Sequence, residues 1–189
     1  MKLSLFTASL LLAGSLYASG EHHLTTTQKG MQAIKLLGKT LKTQLKEKLQ
    51  LDSNGTAAIN FCSTQAQALT QQVNDTLAAK HIKVRRTSLA LRNPANQADA
   101  TDIKIMKQYK SRIEHKSSIA MLPVTVKMEE TTRVYKPLVV GAVCLKCHGE
   151  NIAPSIAQTI EATYPTDKAV GMKLGDFRGV IVAEVAKKH

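Results

Sequence analysis

The sequence predicts an α+β fold in which an antiparallel sheet carries N-terminal helices packed on it. Apolar residues recur at steps of three and four up to about residue 79, which is the period of amphipathic helices. Stretches rich in β-branched residues follow over 124–128, 132–140 and 179–186. Because helices come first and several strands follow, we expect the helices on one face of the sheet.

The first helix is predicted over about residues 25–51. Thr25 and Gln28 have the spacing of a capping box, in which each side chain bonds the other residue's backbone N–H. The inner face of the helix is apolar and consists of Ile34, Leu37, Leu41, Leu45 and Leu49. The outer face sets six lysines against Glu47 alone: Lys29, Lys35, Lys39, Lys42, Lys46 and Lys48.

A second helix is predicted to follow the turn-forming residues 52–55 and to run to about Ala79. Its apolar stripe consists of Ile59, Cys62, Ala66, Leu69, Val73 and Leu77. Cys62 is therefore expected to point into the protein interior.

The remaining elements are predicted from β-prone stretches, turn residues and helical periodicity. In chain order they are a strand over 83–89, a turn-rich segment over 92–96, a helix over about 99–114, a hairpin of 124–128 and 132–140, a short helix after Pro154, and a last strand over 179–186. No repeat or proline-rich linker divides the chain, so we expect one domain.

The most specific motif is the run Cys144-Leu145-Lys146-Cys147-His148. Cys-x-x-Cys-His is the attachment signature of c-type haem, because two thiols at this spacing form thioethers with the porphyrin and the histidine ligates the iron. We therefore predict one covalently attached haem c. A thioredoxin-like dithiol would need a βαβ context, and a structural zinc site would need a second ligand pair. A disulfide between Cys144 and Cys147 would leave His148 unexplained.

The N-terminus predicts export. Lys2 precedes an apolar run over 3–12, and small residues follow at 18–20, as in a secretory signal peptide. We assign residues 1–20 to the signal and 21–189 to the haem domain. An uncleaved anchor is disfavoured because the apolar run is shorter than the ~20 residues that span a bilayer, so no stable membrane span is expected after cleavage. Bacterial haem attachment takes place outside the cytoplasm, which predicts a periplasmic protein.

The chain is strongly basic. It has 26 Lys and Arg against 14 Asp and Glu, a net charge of +12. A surface of this charge favours acidic partners, and we expect an acidic redox or signalling protein. Nucleic acid is not expected, because an exported haem protein rarely meets it and the chain has no Trp and few other aromatic residues for base stacking.

Cys62 is the third cysteine, and an unpaired thiol in an oxidising compartment needs either a role or burial. The pattern leaves two interpretations open: a second iron ligand, or a small buried hydrophobic residue. Other side chains that can ligate iron fit core, surface or tail positions better. They are Met106, Met121, Met128, Met172, His22, His23, His81, His115 and His189.

Several segments, in this order, resemble a known family. They are Cys62 in an alanine-rich helix and residues 86–88, 91–96, 135–138, 144–149, 164–169 and 171–179. Together they resemble the small c-type haem domains with a PAS-like fold, over roughly Thr56 to the C-terminus. The resemblance implies a PAS-like sheet, His148 as the proximal iron ligand and Cys62 as the distal one.

Two further residues are predicted to bind the cofactor. Arg92 and Asn96 are expected at the haem propionates, because a guanidinium pairs well with a carboxylate. The alternative interpretation is that residues 92–96 only build a loop. Arg85 and Arg86 alternate along a strand, so at most one of them faces the haem.

Ligation by His148 and Cys62 predicts a low reduction potential, because anionic sulfur stabilises ferric iron. The first predicted function is an exported monohaem cytochrome in low-potential electron transfer. The alternative is a redox or small-ligand (gas) sensor that loses the Cys62 ligand on reduction. A haem peroxidase is least expected, since an endogenous distal ligand occupies the position that an acid–base reaction needs.

Overall fold

A four-stranded antiparallel sheet forms the centre of the part of the chain that the structure describes. This computed structural model describes residues 24–52 and 55–187. The strands are β1 Ile82–Thr87, β2 Val124–Lys127, β3 Thr131–Val139 and β4 Phe177–Ala186. They lie in the order β1-β4-β3-β2, and each neighbouring pair is antiparallel. The predicted α+β class with an antiparallel sheet is confirmed.

Two sequence predictions lie outside the described residues. These are the signal peptide over 1–20 and the candidate ligands His22, His23 and His189. Within residues 24–52 and 55–187, no helix has both the length and the apolar character needed to cross a membrane.

Six α-helices accompany the sheet within the described ranges. They are α1 Thr26–Leu51, α2 Thr56–Thr64, α3 Ala66–Leu77, α4 Ala100–Glu114, α5 Leu145–His148 and α6 Pro154–Thr163. The predicted capping box opens α1: the Gln28 amide donates to Thr25 Oγ1 at 3.2 Å, and the Thr25 amide donates to Gln28 Oε1 at 2.8 Å. These two bonds satisfy amides that a helix start leaves without partners.

The single helix predicted from residue 56 to about Ala79 is instead two helices, α2 and α3, with Gln65 between them. The Ser63 and Thr64 hydroxyls both donate to the Asn60 carbonyl, at 3.0 and 2.8 Å. Hydroxyls that bond back to the preceding turn compete with the backbone ladder and bend helices. Cys62 therefore lies on a nine-residue helix of its own.

Helices cover both faces of the sheet. The helices α1 and α3 pack on one face, where Leu37, Val84, Val134 and Ala183 share a core. The helix α4 packs on the other face, which corrects the expectation that the helices share one face. The physical reason is visible in β4, where residues 180–183 are all buried. A continuous apolar strand has to be covered on both sides.

A buried polar cluster holds α4 against the sheet. The Asp102 carboxylate is fully buried. It pairs with the Arg85 guanidinium at 2.8 Å and accepts a hydrogen bond from the Tyr135 hydroxyl at 3.0 Å. Because Arg85 is committed to this face, the next residue of the strand, Arg86, points to the opposite one.

Candidate haem-binding site

A cavity of about 230 Å³ lies where α1, α2, the end of β1 and the Cys-x-x-Cys-His motif meet. Every residue that the sequence analysis assigned to the cofactor lines it: Cys62, Arg92, Asn96, Cys144, Cys147 and His148. Leu45, Leu49, Ile59, Leu91 and Leu138 supply apolar walls. Pockets for organic cofactors have this composition, with mostly apolar walls and a few polar groups.

The motif is a short turn of helix closed by Gly149. The Gly149 amide donates to the Leu145 carbonyl at 3.0 Å. A Cβ at this position would lie 2.6 Å from that carbonyl oxygen, so space rather than backbone conformation requires glycine here. The next strand-like segment supports the turn, because the Met172 amide donates to the His148 carbonyl at 2.9 Å.

The His148 ring is oriented by a backbone acceptor. Its Nδ1 lies 2.6 Å from the Ala169 carbonyl oxygen. A carbonyl can only accept, so Nδ1 carries the proton and Nε2 keeps its lone pair for a ligand. Burial, followed by the charges of Arg178 and Arg92, lowers the pKa of His148 to about 3. The ring is therefore neutral at physiological pH, which is the form that coordinates metals.

Cys62 reaches the cavity from α2, and its side chain is partly buried. It packs against the same apolar cluster as Cys147, formed around Ile59 and Tyr164. The Tyr164 hydroxyl donates to the Cys62 carbonyl at 3.2 Å, which ties α2 to the end of α6. Burial raises the pKa of the Cys62 thiol, and the charge of Arg86 opposes that shift.

The Arg92 side chain is bound by other residues of the chain, one carboxylate and two backbone carbonyls. Its guanidinium pairs with Asp167 at 2.9 Å, and Nη2 also donates to the carbonyls of Cys147 at 2.6 Å and Ala169 at 3.1 Å. Both charged side chains are 8% exposed. Arg92 therefore connects the motif to the segment that orients His148. Asn96 is bound less tightly, with its Oδ1 accepting from Gln67 Nε2 at 3.3 Å.

Sequence reasoning did not assign two arginines of the cavity wall, Arg86 and Arg178. A signal for Arg86 was present, because Ile82 and Val84 precede it at steps of two and both are buried on the α1 face. An arginine that continues an apolar stripe is expected to face the interior. For Arg178 no comparable sequence signal exists, since it is the second residue of β4 and the apolar residues that follow it are buried on both faces of the sheet.

The other candidate ligands lie elsewhere. Met106 lies on α4 and is buried against the opposite face of the sheet. His115 closes α4, and its Nδ1 contacts the Ser111 carbonyl at 2.8 Å. Of the described alternatives to Cys62 named from the sequence, none lines the cavity.

No three His, Cys, Asp or Glu side chains within residues 24–52 and 55–187 lie close enough together to hold an ion directly. The thiols of Cys62, Cys144 and Cys147 are all free. These potential ligands line a shared cavity without meeting at one point.

A family model described as Tll0287-like matches residues 19–186. The chain belongs to the Tll0287-like family. No curated protein matches the chain. Among solved structures, the cyanobacterial haem protein Tll0287 matches with a TM-score of 0.60 and 22% identity, over 84% of this chain and 93% of that chain. At this identity the structural likeness shows the fold alone.

The Tll0287-like family assignment confirms the resemblance to a small haem-domain family that the residue segments had indicated. The matched range, residues 19–186, includes all six residues predicted to bind the cofactor. It also includes α1, the part of the chain that the resemblance had not covered.

Proposed function

We propose that this protein is an exported cytochrome that carries one covalently attached haem and acts in low-potential electron transfer. The observation that supports it most is the shared cavity. It is lined by Cys144, Cys147 and His148 of the motif and by Cys62 from a separate helix. These are the groups a c-type haem requires: two thiols for thioether bonds and two axial ligands. The haem would supply reversible one-electron chemistry.

The chain's own residues prepare each ligand. The Ala169 carbonyl holds His148 in the tautomer that leaves Nε2 for the iron. Burial disfavours a charged Cys62 thiolate, whereas Arg86, Arg92 and Arg178 favour it. The apolar wall excludes water around the group. Arg92 and Asn96 both line the cavity, so a contact of each with the cofactor stays a prediction, although Asp167 and two carbonyls already bind Nε and Nη2 of Arg92.

A redox or small-ligand sensor is the second candidate. The observation that favours it is the partial burial of the Cys62 side chain, which raises the pKa of the thiol and so favours a neutral sulfur that binds iron weakly. Cys62 also lies on the short helix α2, which ends at Thr64. A ligand on a separate short element is suited to a two-state change.

The first experiment is spectroscopic and uses the full chain produced with haem-attachment machinery. Optical and electron paramagnetic resonance spectra of the oxidised and reduced protein are compared for wild type, Cys62→Ala and Met172→Leu. We expect a low-spin thiolate signature that is lost in Cys62→Ala and kept in Met172→Leu. A Cys62→Ala spectrum identical to that of wild type would show that Cys62 is a buried hydrophobic residue and not an iron ligand.

The same samples separate the two functions. If the iron of the reduced protein keeps both axial ligands and does not bind carbon monoxide, electron transfer is supported. If reduction yields a form that binds carbon monoxide, the sensor is supported. A wild-type protein that carries no covalently bound haem after denaturing electrophoresis would contradict both candidates.

We also propose an acidic protein as the redox or signalling partner, in the periplasm. Lys35, Lys39, Lys42 and Lys46 are all exposed on α1. Their spacing of four, three and four residues places them along one ridge of the helix, which we call the α1 lysine ridge. The same helix contributes Leu45 and Leu49 to the cavity wall. A partner attracted by the ridge would therefore be held beside the cofactor.

A further inference from the structure

Arg86 is a cation without a counter-charge at the cavity wall. Its Nε is buried and has no hydrogen-bond partner. Among the described residues, no carboxylate pairs with its guanidinium. Burial lowers the pKa of Arg86, and the smaller opposing effects of Cys62 and Tyr164 do not compensate for the lost water. Such an arrangement is costly unless an anion completes it.

Arg178 is in a similar position. Its Nη1 donates only to neutral acceptors, the Ser88 hydroxyl at 2.9 Å and the Ala90 carbonyl at 3.3 Å. Burial and the charges of Arg92 and Arg86 lower the pKa of Arg178 to about 10. Arg178 is thus aligned by the loop after β1 and repelled by the other two arginines.

Among the described residues, the arginines of the cavity wall outnumber the carboxylates that pair with them. Arg86, Arg92 and Arg178 line the cavity. Asp167 is the carboxylate that pairs with one of them, Arg92. Two guanidiniums are left without a carboxylate. A ligand with two carboxylates would neutralise them, and a thiolate from Cys62 could offset the positive charge of ferric porphyrin.

We propose that Arg86 and Arg178 form a dicarboxylate-binding pair that holds the two propionates of the haem, and that Arg92 acts as an internal clamp. This inference rests on the proposed haem-binding function. Arg92 is less suited to the propionates because Asp167 and two carbonyls already occupy its Nε and Nη2. Arg86 Nε, by contrast, has no hydrogen-bond partner among the described residues, and the side chain reaches the cavity from a rigid strand.

The test compares two ligands that differ only in their carboxylates. In a Cys144→Ala/Cys147→Ala background, haem binds without thioethers, so dissociation constants can be measured for iron protoporphyrin IX and for its dimethyl ester. We expect the free acid to bind about 10- to 100-fold more tightly, the range of one charge-assisted hydrogen bond or more. Arg86→Leu should abolish most of that preference.

Lys83→Leu is the matched control. It removes a cation of the same strand, but Lys83 is exposed and outside the cavity lining. We expect it to keep the wild-type preference. Arg86→Gln, which keeps a polar side chain, is the second variant if Arg86→Leu does not fold, as judged by circular dichroism. It should also lose the preference.

An unchanged preference for the free acid in Arg86→Leu or Arg86→Gln would overturn the proposal. If the thiolate band in the optical spectrum changed at the same time, Arg86 would be assigned to Cys62 instead. Failure of the haem proposal itself would look different, because neither porphyrin would then bind the Cys144→Ala/Cys147→Ala chain that keeps Arg86.

Discussion

At the scale of single residues, the site depends on backbone contacts that the motif makes with the segment over 167–172. The Ala169 carbonyl orients His148, and the Met172 amide binds the carbonyl of the same histidine. Arg92 connects the motif to this segment, because its Nη2 donates to the carbonyls of Cys147 and Ala169. The motif is therefore held from two sides, which lets a four-residue helix present its histidine in one orientation.

Gly149→Ala tests the tight turn after His148. The added methyl group would lie 2.6 Å from the Leu145 carbonyl oxygen, so we expect a loss of about 1–3 kcal/mol in the free energy of unfolding and less covalent haem per chain. Urea unfolding and the pyridine haemochrome assay measure the two effects. Gly141→Ala is the control, because its methyl group would meet only Cys144 Sγ, at an ordinary 3.9 Å. Equal behaviour of the two variants would show that the turn relaxes freely.

Arg92→Met tests the clamp. The change leaves Asp167 buried without its partner, so we expect a loss of about 3–5 kcal/mol in the free energy of unfolding. Arg92→Met/Asp167→Leu replaces both charges with apolar groups and should cost less than the sum of the two single variants. Chemical denaturation of all three variants measures the coupling. Strict additivity would mean that the pair contributes no mutual stabilisation.

At the scale of secondary-structure elements, the helix α1 crosses the sheet at a position where it needs a small residue. A Cβ on Gly30 would lie 2.6 Å from Cγ2 of Val134 on β3. The close approach brings Leu37 and Ile34 into the core with β4. It also sets the direction in which α1 continues, and hence the position of Leu45 and Leu49 at the cavity.

Gly30→Ala should therefore destabilise the protein by about 1–3 kcal/mol although alanine is the better helix former. The same change in a Val134→Ala background should cost less, because Cγ2 at 2.6 Å is gone and only the Cβ of residue 134, at 2.8 Å, still lies too close. Gly38→Ala is the matched control on the same helix. Its methyl group would meet only the end of the Ile181 side chain, at 3.3 Å. Thermal unfolding of these variants decides the point, and an equal cost in both backgrounds would contradict the predicted clash.

At the scale of the whole molecule, the two faces of the sheet differ: one is closed by packing and the other carries the cavity. The α4 side is closed by apolar packing and by the Asp102 cluster. The α1 side carries the cavity and, on its outer surface, the α1 lysine ridge. The net charge of +12 is thus accompanied by a concentrated patch beside the candidate site.

Reversing charge on the ridge should slow encounters with anions. We expect Lys42→Glu/Lys46→Glu to reduce the rate at which hexacyanoferrate(III) oxidises the reduced haem-loaded protein several-fold at low ionic strength, with convergence on wild type at high salt. Stopped-flow kinetics measure the rate. Lys104→Glu/Lys107→Glu on α4 changes the net charge equally and should have the smaller effect. Equal slowing by both pairs would assign the rate to net charge rather than to the ridge.

Most of the elements could be predicted because their signals are local. The capping box of α1, the hairpin of β2 and β3, and the haem motif each depend on residues a few positions apart. Even Cys62 was identified, from helical spacing and from the family resemblance. The break at Gln65 was missed, because the hydroxyls of Ser63 and Thr64 carry no periodic signal that distinguishes back-bonding from solvent exposure.

The sequence by itself determined the Cys-x-x-Cys-His motif and most of the helices and strands, since these follow from spacing along the chain. The tertiary structure alone decided that α4 covers the second face and that Arg92 pairs with Asp167, 75 positions away. It also decided that Arg86 and Arg178 line the same cavity wall and that no carboxylate of residues 24–52 and 55–187 pairs with either. Such pairings depend on which strands become neighbours, and strand order is a property of the packed sheet rather than of any local pattern.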